Sequence, residues 1–326
     1  MPKILVSSRM FGTLPEPMSL LTAQGYVFAK NPWPGQTLRE DQLLSLIEDV
    51  DGVLAGDDDF TAAVIEKARC LKVISKFGVG VDRVDLAAAT CKGIQVTNAP
   101  GTNKHAVADL TIGLMVAVAR SIPLADARVR AGDFKVIVGQ NVYGGTLGVI
   151  GLGQIGQEVV RRAKGFNMRV LAYDPYADME FVRENNVIMS SLEELMQEAD
   201  FITLHLPSLP ETKNMINRER LSAVKPGAVL INTARGDLVD ETDLEEALSS
   251  GRLAGAALDA FAVEPPSSDH PLLQLKNVVV TAHMGGHTKE AHRQTGMVAA
   301  ENLIRVLQGR PPLHLVNKAV NGERAR

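Results

Sequence analysis

The sequence predicts an α/β protein built from two Rossmann-like domains with parallel sheets. Three observations carry this prediction. Short apolar, β-rich runs alternate with helical patterns along most of the 326 residues, which is βαβ grammar. A glycine triplet spaced G-x-G-x-x-G, at Gly151, Gly153 and Gly156, lies near the middle of the chain with a complete α/β unit before it. The last apolar helix pattern, at about 290–307, has no strand pattern after it and so is expected to return to the first unit. One domain is then discontinuous, with the other inserted in it and a cleft between them. The expected boundaries are 1–101 with 287–326 for the outer domain, and 102–286 for the inserted one.

The elements follow in order. In the outer domain, strands are expected at 4–6, 53–55, 71–74 and 94–97, with helices at 42–47 and 62–70. A long helix is expected at about 105–120. Small residues stud it (Ala106, Ala108, Gly113, Ala117, Ala119), which suits tight packing between domains. Residues 131–145 are glycine-rich and irregular and read as a loop or arm. Beyond the glycine triplet, strands are expected at 201–204, 228–231, 254–258 and 278–280, with helices such as 192–197 and 242–248 between them.

Composition narrows the function classes. The length suits two domains. Hydrophobic residues make up 45% and charged residues 22%, ordinary globular values. The net charge of −4 leaves no basic surplus for nucleic acid or an anionic membrane. Two cysteines, Cys70 and Cys91, make no disulfide framework and read as packed thiols in a reducing compartment. The first residues lack a long apolar stretch and no segment approaches a membrane span, so a cytoplasmic protein is expected. The run Asp57-Asp58-Asp59 reads as carboxylates on a solvated loop rather than a cation site, and no metal is expected.

The glycine triplet follows the apolar run 146–150 and opens a helical pattern. Each glycine is there for a physical reason. Gly151 permits a tight turn, Gly153 lets backbone approach a pyrophosphate, and Gly156 lets the helix pack close to the strand. The helix start presents N–H groups to phosphates. Asp174 ends the next apolar run about 20 residues on, the distance at which an acid binds the hydroxyls of an adenosine ribose. Its charge repels a 2′-phosphate, so the motif points to NAD rather than NADP.

Polar groups recur at strand ends in the second half: Asn232-Thr233-Ala234-Arg235-Gly236, then Asp259 through Pro266, then Thr281-Ala282-His283-Met284-Gly285-Gly286. In a parallel sheet these ends share one rim. Oxidising a 2-hydroxy acid removes a hydride from carbon and a proton from oxygen. Histidine can take that proton, a neighbouring carboxylate can orient the imidazole, and a guanidinium can grip the substrate carboxylate. Taken singly, Arg235 reads as a surface salt-bridge former, Glu264 before Pro265 as the end of a turn, and His283 as an interior histidine. Their order along the chain is what joins them.

That order resembles the D-isomer-specific 2-hydroxyacid dehydrogenase family over nearly the whole chain. GLGQIG, NTARGDLVDE, LDAFAVEPP and TAHMGG match in sequence, as do Gly78-Val79-Gly80-Val81-Asp82 and Asn98-Ala99-Pro100-Gly101-Thr102-Asn103. The resemblance implies an NAD-dependent dehydrogenase of D-2-hydroxy acids, with Arg235 as substrate clamp, His283 as acid/base and Glu264 as its partner. It implies that Lys76, Gly78, Val79 and Gly80 lie near the substrate carboxylate. Around the cofactor it implies Gly151, Gly153, Gln154, Ile155, Gly156 and Asp174. Leu206, Pro207, Thr212, Thr233, Ala234 and Asp259 would border it. The outer domain becomes the substrate domain and the inserted one the NAD-binding domain. A homodimer is implied, through an arm at about 121–145.

His205 reads as a strand-end residue, and His270, His287 and His292 as loop or helix surface. His105, opening a helix, is a second candidate for chemistry. The substrate stays open. Ala55-Gly56-Asp57-Asp58-Asp59 offers carboxylates where phosphoglycerate-specific members place basic groups, which favours a non-phosphorylated or cationic 2-hydroxy acid. Arg128, Arg130 or Lys135 from a second subunit would supply the missing charge. D-3-phosphoglycerate dehydrogenase activity and a non-enzymatic, NADH-sensing corepressor remain the alternatives.

Overall fold

The structure is a computed structural model and describes residues 1–322. It divides into two compact units, Met1–Asn103 with the chain from His287 on, and Lys104–Gly286.

The first unit holds β1 (Lys3–Val6), β2 (Val27–Phe28), β3 (Gly52–Ala55), β4 (Val73–Lys76) and β5 (Gln95–Thr97). They form one parallel sheet in the order β2-β1-β3-β4-β5. Every residue of β3 and β4 is buried, because apolar clusters cover both faces; strands so covered read as continuous apolar runs. Strand β4 starts two residues later than expected. Leu71 packs into the core from the preceding loop, and the register pairs Ala55 with Lys76 at the carboxyl rim. Strand β2 escaped sequence reading because it is two exposed residues at a sheet edge.

The long helix Lys289–Leu307 belongs to this unit. It is capped by Thr288, whose hydroxyl accepts from the Ala291 N–H. Ala299, Ala300, Leu303 and Ile304 bury against Ile4, Leu54 and Val73. Each large side chain so buried contributes about 1.5–3 kcal/mol. The described chain beyond the helix forms no strand but still packs on the sheet. It runs antiparallel along β5, with Leu315 bridged to Thr97 and the Val316 N–H donating to Val96 O at 2.8 Å. Asn302, fully buried, secures this tail by accepting from the Leu313 N–H (2.8 Å) and donating to Asn98 O (3.0 Å).

The second unit holds β6 (Thr146–Ile150), β7 (Arg169–Tyr173), β8 (Ile188–Met189), β9 (Phe201–Leu204), β10 (Ala228–Asn232), β11 (Leu253–Leu258) and β12 (Val278–Val280). All pairs are parallel and the order is β12-β11-β10-β9-β6-β7-β8. This is a doubly wound Rossmann sheet whose direction of winding reverses between β6 and β9. Its helices are locally specified. Ser191 and Glu194 close a capping box on Leu192–Glu198, and Asp240 caps Glu241–Ser249. The helix Lys104–Ala119 seats Ala108, Leu114, Met115 and Ala119 on the sheet face carrying Val149, Val229 and Ala257. A further helix, Ile122–Arg130, buries no residue, and residues 131–145 form neither helix nor strand.

Two readings are corrected. Cys70 and Cys91 are exposed thiols, not packed ones, since each falls just after or at the end of a short helix. The three aspartates are not a uniformly solvated run. Asp58 is buried and accepts from Ser7 Oγ (2.7 Å) and from the N–H groups of Leu38 and Gly56 (2.8 Å each). Asp59 pairs with Arg39 and Arg83, and Asp57 with Lys76. Among the described residues no single helix is long and apolar enough to cross a membrane, and no group of three or more metal-ligating side chains occurs.

Candidate active site

In an open α/β sheet, ligands bind beyond the carboxyl ends of the strands where the winding reverses. In the second unit that point is the end of β6, where the glycine triplet begins. Gly151 has φ +97°, and a Cβ there would lie 2.8 Å from the His205 carbonyl that follows β9. A Cβ on Gly156 would lie 2.1 Å from Gly151 O, so the helix Gln154–Ala163 sits directly against the turn. Gly153 differs: among the described residues, its chain neighbours aside, no atom lies within 4 Å of its Cβ direction. Gly153 precedes the helix, and Gln154 and Ile155 are its first residues, so their N–H groups face away from the helical hydrogen-bond ladder. Asp174 follows β7. It accepts from the Leu152 N–H at 2.7 Å and the Tyr176 N–H at 2.8 Å, which holds its carboxylate against the glycine turn. These features fit the pyrophosphate and ribose of a dinucleotide.

The neighbouring rim residues are ordered. Leu206 reaches the Gly151 turn, with its Cδ2 3.0 Å from that glycine's Cβ direction. Thr212 closes its own loop by donating to Pro207 O and accepting from the Leu209 N–H, both at 2.8 Å. Thr233 is buried and hydrogen-bonded to Thr111 Oγ1 at 2.8 Å, and Ala234 is buried beside it. His205 is the strand-end residue expected. Burial pushes its pKa down to about 3, and its Nε2 meets Thr203 Oγ1 at 2.9 Å, so it stays neutral.

The three chemical candidates meet on the loops after β10, β11 and β12. His283 Nδ1 lies 2.8 Å from Glu264 Oε2 and 3.0 Å from Oε1, and Glu264 Oε1 also accepts from the Phe261 N–H at 3.0 Å. Arg235 Nη1 donates to Ala234 O at 2.9 Å. Its charge acts on both partners. The hydrogen bond to Glu264 is the largest influence on His283 and raises its pKa, against desolvation and the Arg235 charge. For Glu264, burial is the largest influence and pushes upward. The His283 hydrogen bond and charge, the Phe261 N–H and the Arg235 charge together bring it below the usual carboxylate range. The pair is therefore a carboxylate beside an imidazole that holds a proton readily.

Buried residues brace both loops. Asp259, 2% exposed, accepts from Thr281 Oγ1 (2.5 Å) and from the N–H groups of Met284 and Gly285 (2.8 Å each). These bonds flank His283, whose φ of 49° lies in the left-handed region that non-glycine residues rarely adopt. Asn232 is 1% exposed; its Oδ1 accepts from the Ala234 N–H (3.0 Å) and its Nδ2 donates to Arg235 O (2.7 Å). A Cβ on Gly236 would lie 1.9 Å from the Phe261 carbonyl carbon, so the Arg235 loop passes directly over the Glu264 loop. Sequence reasoning missed the bracing by Asn232. The only signal was a polar residue closing an apolar strand.

Four other histidines find partners elsewhere. His270 is half-buried, with Nε2 3.3 Å from Glu241 and its ring against Phe261, a correction to its surface assignment. His105 lies 3.3 Å from Glu158, a buried carboxylate that also pairs with Arg161 and Arg162. That cluster accounts for His105 as a structural residue of the helix start. His292 pairs with His287 at 3.1 Å and packs on Phe77.

The remaining candidates lie in the first unit. Lys76 is 6% exposed, and its Nζ donates to Gly56 O and Asp57 Oδ1, each at 2.6 Å. Gly78 has φ +153°, a glycine conformation. Gly78 O accepts from the Ala99 N–H (2.9 Å) and Val79 O from Asn98 Nδ2 (2.8 Å). With both oxygens held by the loop after β5, the N–H groups of Val79 and Gly80 point the opposite way, since the two sides of a peptide are antiparallel.

A sheet that turns at Gly151 onto a helix start, with an acid closing the next strand, defines a dinucleotide-binding protein. The comparisons narrow the class. The sequence profile of the D-isomer specific 2-hydroxyacid dehydrogenase, NAD binding domain, matches residues 112–285. The D-3-phosphoglycerate dehydrogenase of Methanocaldococcus jannaschii is 47% identical over 284 residues, 86% of this chain and 54% of that one. The glyoxylate reductase of Korarchaeum cryptofilum is 41% identical over 285 residues, 85% of this chain and 86% of that one. The apo-structure of D-lactate dehydrogenase from Escherichia coli superposes with a TM-score of 0.85 at 29% identity, over 97% of this chain and 100% of that one. The chain belongs to the D-isomer specific 2-hydroxyacid dehydrogenase family, and a nicotinamide dinucleotide is its cofactor. It spans about half the length of the phosphoglycerate dehydrogenase relatives it matches.

Proposed function

We propose that the chain interconverts a D-2-hydroxy acid and its 2-keto acid with NAD. The observation that carries this reading is the His283–Glu264 pair under the charge of Arg235, within the unit that bears the dinucleotide motif. A nicotinamide dinucleotide held at the glycine turn by Gln154, Ile155 and Asp174 would supply the hydride chemistry. His283 Nε2 gives its proton to the substrate oxygen in reduction and takes it back in oxidation. Glu264 orients the ring and stabilises its charged form. Arg235 grips the substrate carboxylate in a bidentate fork and polarises the adjacent oxygen. Lys76 and the backbone of Gly78, Val79 and Gly80 offer further donors to that carboxylate. Leu206, Pro207, Thr212, Thr233, Ala234 and Asp259 border the cofactor, and Asp174 reads its ribose and selects NAD over NADP.

We infer a homodimer formed through residues 121–145. Phe134, Val136 and Val138 are 87%, 87% and 93% exposed, and Ile122 and Val129 of the adjoining helix are about half exposed. A run of apolar side chains in water marks an interaction surface, and a two-fold pairing of identical arms is the commonest way to cover one. The exposed thiols Cys70 and Cys91 suit a reducing compartment such as the cytoplasm.

The test is loss of NADH absorbance with a panel of 2-keto acids. Turnover that falls severely in His283→Ala, with NADH affinity kept, supports the reading. Tight NADH binding without turnover of any acid overturns it in favour of a nucleotide sensor.

A further inference from the structure

We infer that Asp57 is a specificity-determining residue for the reaction proposed above: by holding the Lys76 ammonium it selects short 2-keto acids with a neutral group on the third carbon over phosphorylated ones. The inference rests on that functional reading and on the carboxyl rim of the first sheet.

The order β2-β1-β3-β4-β5 reverses its winding between β1 and β3, so the rim after these strands is a ligand position in its own right. The residues there are Ser7, Ser8 and the segment from Gly56 to Asp58, with Lys76 closing β4 alongside. Lys76 Nζ lies 2.6 Å from Asp57 Oδ1 and 3.8 Å from the Cβ direction of Gly78. The ammonium thus stands between Asp57 and the backbone that offers N–H donors to a carboxylate. It carries three donors. Two go to Gly56 O and Asp57, which leaves one for a substrate carboxylate.

Charge accounting then limits the rest of the substrate. Asp57 neutralises the buried lysine, and its own side chain is 68% exposed. Asp58 is turned inward onto Ser7, Leu38 and Gly56. Two arginines that reach this loop, Arg39 and Arg83, are taken by Asp59. A phosphate dianion needs surplus positive charge. Here it would meet the Asp57 carboxylate with no such surplus from Lys76, Arg39 or Arg83. A hydroxyl or hydrogen on the third carbon carries no such penalty.

The experiment compares kcat/KM for hydroxypyruvate and 3-phosphohydroxypyruvate with NADH. The wild-type protein is expected to favour hydroxypyruvate. Asp57→Asn keeps the side-chain shape and removes the charge. It should raise the phosphorylated-to-unphosphorylated ratio on the order of tenfold, and Asp57→Ala should do the same. Added salt should narrow the wild-type preference and leave the variants' ratio nearly level, since screening acts on the charge they lack. A wild-type preference for the phosphorylated acid, or a ratio that moves in neither variant, overturns the inference and leaves the dehydrogenase reading standing. No NADH oxidation with any 2-keto acid overturns both.

Discussion

His283 donates its Nδ1 proton to Glu264, 2.8 Å from Oε2 and 3.0 Å from Oε1. A carboxylate held below its usual pKa can only accept, so the exchangeable nitrogen is Nε2. The raised pKa of His283 sets the sign of the pH dependence. Reduction of a keto acid needs the charged ring. Its rate should hold above the ordinary histidine range and fall as pH rises through the raised value. Oxidation needs the neutral ring and should rise over the same window. Glu264→Gln removes the largest influence raising that pKa, so both limbs should move to lower pH. A pH–rate profile of wild type and variant checks this, and limbs that stay in place would assign the proton to another group. His283→Ala should cost about 10²–10⁴-fold in turnover.

Gly153 and Gly156 separate binding from folding. At Gly153 a Cβ would point into open space, so Gly153→Ala should keep its melting temperature within a few degrees while losing NADH affinity. At Gly156 a Cβ would sit 2.1 Å from Gly151 O, so Gly156→Ala should destabilise by about 1–3 kcal/mol and disturb the turn as well. Thermal melts beside NADH titrations distinguish the two. Equal stability losses would contradict the geometry.

Asp174→Ala should narrow the preference for NADH over NADPH, because it removes the negative charge beside the ribose. It also breaks the bonds to the Leu152 and Tyr176 N–H groups, so NADH affinity should fall in the same variant. Dissociation constants for both cofactors give the ratio, and an unmoved ratio would mean that another residue reads the ribose.

Replacing Phe134, Val136 and Val138 by Ser should yield a monomer by light scattering, with far-UV circular dichroism unchanged, since all three side chains are exposed in the single chain. A dimer that survives would place the interface elsewhere.

The parallel strands were legible because a strand covered on both faces must be apolar throughout, and β3 and β10 are buried at every position. Two-residue strands such as β2 and β8 carry too few residues for any periodicity. The run Asp57-Asp58-Asp59 misled for a related reason. Adjacent residues point different ways, and only the fold sends Asp58 inward, Asp59 to two arginines and Asp57 to Lys76. The bracing of Arg235 by Asn232 was equally silent, since a strand-end asparagine reads as a turn signal.

By itself the sequence determined the fold class and the glycine turn, because both depend on residues a few positions apart and on backbone conformations few side chains permit. Tertiary structure alone decided which polar atoms meet. Glu264 and His283 are 19 positions apart and touch because β11 and β12 run parallel in adjacent register, delivering both following loops to one rim. Lys76 reaches Asp57 for the same reason, through the pairing of β3 with β4. Strand register is set by packing summed over a whole sheet, which no short stretch of sequence contains.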